Sequence, residues 1–344
     1  METIDVTIFN HTITVNPVAF SIGGFDVYWY GLIIASGFLI ALVYGLSRAR
    51  DFKLKTDPMI DCIIVGTIGG IIGARAYYVI FNFVLFKDNL SKVFSIHEGG
   101  LAIYGGVIGA FLFGGIACYI RKVKFTALLD VAGIGFLLGQ AVGRWGNFVN
   151  QEAFGTNTSL PWGMYSSVTE EYLQSNMRAL DKLGISVDPS MAVHPTFLYE
   201  SLWCLLGFVI LHFYSKRRKF DGEIILMYAA WYGLGRFFIE SLRTDSLYLF
   251  NSGIRVSQLV AVVTFVVAVA VIITVRSRKK SAAAELTYSS VFGDSMSENE
   301  VMTIVAGDDT YVDYEDNNGD DASGDTDDKT EKNIGEEEND GTDN

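Results

Sequence analysis

Seven apolar runs, each of about bilayer-spanning length, dominate the first 280 residues of this 344-residue chain. They cover Val27 to Leu46, Pro58 to Phe86, Leu101 to Ile120, Phe125 to Gly143, Pro195 to Tyr214, Glu223 to Ser241 and Ile254 to Val275. Roughly 20 apolar residues cross a hydrocarbon core as helix. An all-α integral membrane protein of about seven transmembrane helices is expected.

Charge orients the spans. Arg48, Arg50, Lys53 and Lys55 follow the first, RKVK the third, SKRRK the fifth and RSRKK the seventh. By the positive-inside rule these loops are cytoplasmic, which puts the N-terminus outside and the C-terminus in the cytoplasm of a multi-pass cell-membrane protein. Residues 1–26 alternate apolar and polar side chains (TIDVTIF, HTITV), predicting short strands or an interfacial segment. The long polar segment 144–193 includes a predicted helix near Thr169 to Leu183. Together they form a small extracytoplasmic head on a membrane domain spanning 27–280. The net charge of −13 misleads: from Ser281 onward 20 Asp and Glu face two Lys, a net of −18, so the rest carries +5. Residues 281–344 are expected to be a disordered acidic cytoplasmic tail.

Ionisable groups inside spans are costly and usually paired or functional. Here they gather near one leaflet. Tyr30 opens span one and Tyr104 lies in the first turn of span three. Arg144 and Asn147 leave the end of span four. His194 opens span five, with Glu200 one or two turns deeper. Arg236 and Glu240 lie in the outer half of span six, and Arg75 belongs to span two. Bland readings exist for each. Arg236 and Glu240 are spaced for a structural ion pair; Arg75 can tie helix carbonyls; the tyrosines can be interfacial anchors; His194 can cap a helix. Convergence on one leaflet argues against all of them together.

The densest stretch is GRWGNFVNQEAFG, Gly143 to Gly155, with arginine, amides and a carboxylate among glycines. Arginine holds a phosphate through two parallel bonds, so the cluster suits an anionic lipid headgroup. Cys62, Cys118 and Cys204 lie in apolar runs and read as small buried hydrophobes. No metal-ligand spacing, nucleophile elbow, P-loop or nucleic-acid motif is present, so no cofactor, metal or nucleic-acid partner is expected.

GRWGNFVNQEAFG resembles the signature of the bacterial phosphatidylglycerol–prolipoprotein diacylglyceryl transferases. HPTFLYES, EGGLAIYGG, WYG at Trp29 to Gly31, and GRFFIESLRTDS match that family in kind and order, over roughly Ser21 to Lys280. The resemblance implies transfer of a diacylglyceryl group from phosphatidylglycerol to the lipobox cysteine of a prolipoprotein signal peptide. It assigns Arg144, Arg236, Glu240, Tyr104 and Asn147 to catalysis. Tyr30, Gly155, Glu152, His194, Glu200 and Arg243 join Arg144 in holding substrate, and Arg75 is added on depth alone. Some relatives carry histidine where this chain has Tyr104, which leaves the thiol's base open. The competing reading is a transporter or flippase for an anionic lipid or solute; a translocation path should carry polar residues through both leaflets.

Overall fold

In the computed structural model, described over residues 3–87, 89–95, 99–249 and 253–292, the apolar runs are helices. They are α1 (Trp29–Arg48), α2 (Thr56–Phe81), α3 (Ile103–Ile120), α4 (Phe125–Asn150), α6 (Thr196–Tyr214), α7 (Glu223–Leu242) and α8 (Val256–Phe292). Among the described residues six helices are long and apolar enough to cross a membrane. The exception is α7, whose 20 residues include Glu223, Arg236 and Glu240. Its length matches the others, but its charges take it out of the purely apolar class.

Three boundaries differ from expectation: α2 stops at Phe81, short of Phe86, and two other helices run on. Helix α4 does not end at Gly143. It runs on through GRWGNFVN to Asn150, so Arg144 and Asn147 sit within a helix and not beyond it. Glycine mid-helix normally weakens it, but here the missing side chains make room: a Cβ on Gly146 would lie 2.9 Å from the Tyr30 ring. Helix α8 passes Ser281 without a break and is described to Phe292, in keeping with the strong helix formers of SAAAEL. Residues 1–281 form one unit that holds the remaining elements; of the second, from Ala282, only this continuation is described. The rest of the acidic tail, 293–344, lies outside the described residues.

The helices pack as two groups. α2 and α3 form a hairpin joined through small residues, where Gly73 and Gly69 meet Gly105 and Gly109 so closely that no Cβ fits. Small residues let helix backbones approach in this way within lipid. α4 is central to the other group, packing against α1, α6 and α7. Its buried Leu128, Val131, Ile134 and Leu137 belong to the main apolar core, with Met59, Cys204 and Ile224.

The N-terminal alternation resolves into strands β1 (Ile4–Ile8), β2 (His11–Val15), β3 (Val18–Ile22) and β4 (Phe25–Tyr28). β1 and β2 form a hairpin turning at Phe9 and Asn10, both in left-handed conformation (φ 51° and 61°). Such turns match the twist of a hairpin. A fifth strand, β5 (Met164–Ser166), pairs antiparallel with β1, Val6 opposite Ser166. Ser166 then caps α5 (Ser167–Lys182): its hydroxyl accepts from Thr169 N while Thr169 Oγ1 accepts from Ser166 N. Val6, Met164, Leu173, Leu180 and Val193 bury together, so the β1–β2 hairpin and the long loop form one small body, while β3 and β4 pair only with each other.

Candidate active site

The side chains of the site come from three helices. α4 supplies Gln140, Arg144 and Asn147, at spacings that share one helix face. α6 supplies Glu200, and α7 supplies Tyr232, Arg236 and Glu240, each one turn beyond the last. Glu200 is the common partner. It pairs with Arg144 through Oε1 and lies 3.3 Å from Arg236 through Oε2. Tyr232 donates its hydroxyl hydrogen to Glu200 Oε1 at 3.0 Å and accepts from Arg144 Nη2 at 3.3 Å. Arg236 Nη2 also lies 2.6 Å from Glu240 Oε2. That oxygen makes no aligned hydrogen bond, so the contact is chiefly one of charge. Glu200 and Glu240 are 2% and 1% exposed, which means that water screens neither. The carboxylates hold the two guanidinium groups at one depth despite their repulsion.

Asn147 links this cluster to the polar end of the stretch. Its Oδ1 lies 3.4 Å from Arg144 Nη1, and its Nδ2 donates to Glu152 at 2.8 Å. After α4 the chain turns sharply. Gln151 and Ala153 adopt left-handed conformations (φ 52° and 58°), which cost side-chain-bearing residues energy and persist only when neighbours enforce them. The Thr196 hydroxyl enforces one by donating to the Ala153 carbonyl. Gly155 follows, bridged to Arg243 and donating its N–H to the His194 carbonyl at 2.9 Å. A Cβ at Gly155 would fall 2.7 Å from the His194 Cβ and 3.0 Å from the Leu242 carbonyl oxygen, so only glycine lets these three segments meet. His194 Nδ1 sits 3.1 Å from the Tyr199 hydroxyl, and burial lowers its pKa, favouring neutral imidazole.

Beside the cluster lies a cavity of about 630 Å³ between the two helix groups. Tyr30, Arg144 and Asn147 line one end, and Met59 and Leu128 line the other. From Leu128 to Asn147 it follows α4 for roughly 28 Å at helical rise, about the thickness of a hydrocarbon core. Between its ends the wall is almost wholly apolar. The shape is that of a slot for hydrocarbon chains with charge at one end.

Three expected residues stand apart. Arg75 is a correction. All five donors of a guanidinium go to backbone carbonyls of the segment after α2: Val93, Gly99, Gly100, Lys92 and Ser95, at 2.6 to 3.2 Å. Its face also rests on Phe86 at 5.2 Å. Arg75 ties down that segment and has no fork free for substrate. Tyr104 is 65% exposed on the first turn of α3; Ile103, not Tyr104, lines the cavity. Arg243 reaches the cluster through backbone, but its side chain grips Asp245 with two bonds of 2.8 and 2.5 Å. Burial alone would raise the Asp245 carboxyl, yet Arg243 outweighs it and holds the pKa below the usual carboxylate range. Tyr232 lies outside the residues the sequence singles out. Its signal was present: WYG at Trp231 to Gly233 stands one turn before Arg236 on the same face.

The family model described as "Prolipoprotein diacylglyceryl transferase" matches residues 17–274, a region containing every membrane helix up to the last turns of α8. The chain belongs to that family. It is 43% identical over 270 residues to the phosphatidylglycerol–prolipoprotein diacylglyceryl transferase 1 of Clostridium perfringens, covering 77% of this chain and 96% of that one. The enzyme of the same name from Finegoldia magna is 40% identical over 264 residues, 76% and 96% of the two chains. That of Listeria monocytogenes is 42% identical over 258 residues, 75% and 89%. The family region stops short of the acidic tail.

Proposed function

We propose that this chain transfers the diacylglyceryl group of phosphatidylglycerol to the lipobox cysteine thiol of a prolipoprotein. It would act in a bacterial cytoplasmic membrane, with the Arg144 end of its helices at the outer leaflet and α7 as the seventh span. One observation carries the reading: Arg144, joined to Arg236 by a single buried carboxylate, stands at the charged end of an apolar slot about one bilayer core long. A diacyl phospholipid has that outline.

The chemistry follows from what the slot would hold. The cysteine sulfur, as thiolate, attacks the glycerol carbon that bears the phosphate. A carbon–sulfur bond forms and the carbon–oxygen bond breaks, its electron pair going to the phosphate oxygen. Glycerol phosphate leaves and a thioether remains. A phosphodiester becomes a monoester, so negative charge grows on the leaving group. Fixed cations aimed at that charge lower the barrier. Arg144 and Arg236 supply them. Glu200 and Glu240 hold the cations in place, while Asn147 and Tyr232 fix the Arg144 side chain. The nearby arginines also favour thiolate over thiol. Membership of the family favours this reaction over transport.

The test uses purified full-length protein with phosphatidylglycerol and a lipobox peptide. The cysteine peptide should gain the mass of a diacylglyceryl group, and its Cys→Ser counterpart should not. Diacylglycerol, lacking a phosphate leaving group, should not serve as donor. Equal modification from diacylglycerol would sink the mechanism.

A further inference from the structure

Gln140 lies on α4 one turn before Arg144, facing the same cavity. Four residues of helix put it roughly 6 Å deeper than Arg144. The wall at this level is otherwise apolar: Ile34, Phe136 and Gly139 are its neighbours there. The other mid-depth hydroxyl or amide on the wall is Thr67, which returns its hydrogen to the Ile63 carbonyl at 2.7 Å and offers none to the cavity. Gln140 differs. One N–H of its amide goes to the Tyr228 hydroxyl at 3.0 Å. Its Oε1 receives only a weak thiol contact from Cys204 at 3.9 Å. A primary amide has two N–H donors. Among the described residues no protein acceptor is found for the second. A half-buried amide donor on the wall of an apolar slot at membrane depth is unfavourable without a partner.

The chemistry of a diacyl lipid supplies one. With phosphate at Arg144, the glycerol unit runs deeper into the slot and brings its two acyl esters to the next level down. Ester carbonyls only accept hydrogen bonds, and the unpartnered group on Gln140 is a donor. Tyr228 holds the amide in position: its ring stacks on Tyr232 at 5.9 Å with planes 11° apart, tying it to the residue that contacts both Arg144 and Glu200. We infer that Gln140 is a specificity residue for the donor lipid, its free amide N–H bonding an acyl ester carbonyl of the diacylglyceryl group. The inference rests on the transferase reading above and names the part of the lipid that reading leaves unassigned.

Diester and dialkyl-ether phosphatidylglycerol with equal chain lengths distinguish the possibilities. The ether lacks the carbonyl oxygen but keeps phosphate, glycerol and hydrocarbon. The kcat/KM ratio of diester to diether would be measured for wild type, Gln140→Met and Gln140→Asn, all checked for folding by thermal melting in detergent. Any intrinsic difference in reactivity between the lipids is common to the three proteins and cancels. One neutral hydrogen bond corresponds to about a five-fold change in this ratio. The ratio should drop by about that factor in Gln140→Met, through loss of diester activity with little change for diether. Gln140→Asn, whose shorter amide falls short of the ester, should show the same collapse. If Gln140 merely braced Tyr228, both donors would lose activity together and the ratio would stand, overturning the inference. A ratio unchanged in whichever variant folds has the same force. Transfer from neither lipid by wild-type protein would instead bring down the transferase reading itself.

Discussion

Buried carboxylates occur near both ends of the helix bundle, and the two groups are built differently. At the end away from Arg144, Asp130 accepts from the N–H groups of Gly222 and Ile225 at 2.7 and 2.9 Å. Glu223, fully buried, pairs with Arg276 and accepts from the Lys219 N–H. There the acceptors are met by backbone N–H groups, by Arg276 and by the Tyr214 hydroxyl, and neither carboxylate is among the residues lining the cavity. At the other end Glu200 is shared between two arginines, and one of these, Arg144, lines a 630 Å³ cavity. Buried ion pairs add little stability over apolar packing, so burial alone does not mark a site. What separates the two groups is surplus: one is closed on itself, the other keeps cationic donors beside empty space.

The sharpest way to break that comparison is to remove one charge from each end. Arg144→Ala should lower kcat/KM about 100-fold or more, the usual scale for losing one donor to developing charge. Arg144→Lys, which keeps charge but not the fork, should still lose about ten-fold. Melting temperature should change little in Arg144→Lys. Asp130→Ala should do the reverse. It leaves two buried N–H groups without acceptors, at about 1–3 kcal/mol each, and should lower the melting temperature while the surviving folded fraction keeps its specific activity. Wild-type rates in Arg144→Lys would take Arg144 off the reacting lipid.

A smaller effect tests the second carboxylate on Arg236, Glu240. A double-mutant cycle on activity for Arg236→Lys and Glu240→Gln should show coupling of at least about 0.5 kcal/mol. Strict additivity would mean that the 2.6 Å contact is incidental. Smaller again is Tyr104. Its exposed position off the cavity wall predicts that Tyr104→His stays active with an unmoved pH profile and Tyr104→Phe loses only a few-fold. A rising limb displaced toward lower pH in Tyr104→His, by up to the roughly 3.5 units that separate phenol from imidazole, would instead make this residue the thiol's base.

The smallest effect concerns pH and stability. Burial depresses the folded-state pKa of His194 below the unfolded value near 6.5. The unfolded chain therefore binds the proton more readily, and stability rises with pH through this window. The contribution is complete above about pH 6.5 and is lost as pH falls toward the folded-state value. Melting at pH 7.5 and 5.5 should show a smaller acid loss in His194→Gln, which keeps a partner for Tyr199. An identical loss in both proteins would assign the acid sensitivity to other groups.

The helices were legible because lipid leaves an apolar run of that length little alternative, and the strands because period-two alternation survives even in short segments. What could not be read was the use of individual polar groups. Arg75 and Arg144 look alike in sequence, each a lone arginine in a glycine-rich run. Only the chain's return after α2 shows that Arg75 is consumed by five carbonyls. Glu200 looked like a supporting carboxylate because its partners, Arg144 and Arg236, come from two other helices. The expected contact between Arg236 and Glu240 was visible because it lies within one helix turn. Gly143 and Gly146 suggested a loop, since nothing local reveals that Tyr30 needs the space.

The pairing of β1 with β5 has a consequence for biosynthesis. Val6 faces Ser166, a separation of 166 − 6 = 160 residues. At roughly 5–20 residues per second, the ribosome needs about 8 to 32 seconds to deliver the third strand after the first. Throughout that interval four membrane helices are made while β1 has only β2 beside it, and an isolated two-stranded hairpin is marginal in water. The unpaired edge of β1 is thus open to other strands for as long as translation takes to reach Met164. A ribosomal pause anywhere in α1 to α4 lengthens that exposure, so codon choice over residues 29–150 becomes a lever on yield for a body that those codons do not encode.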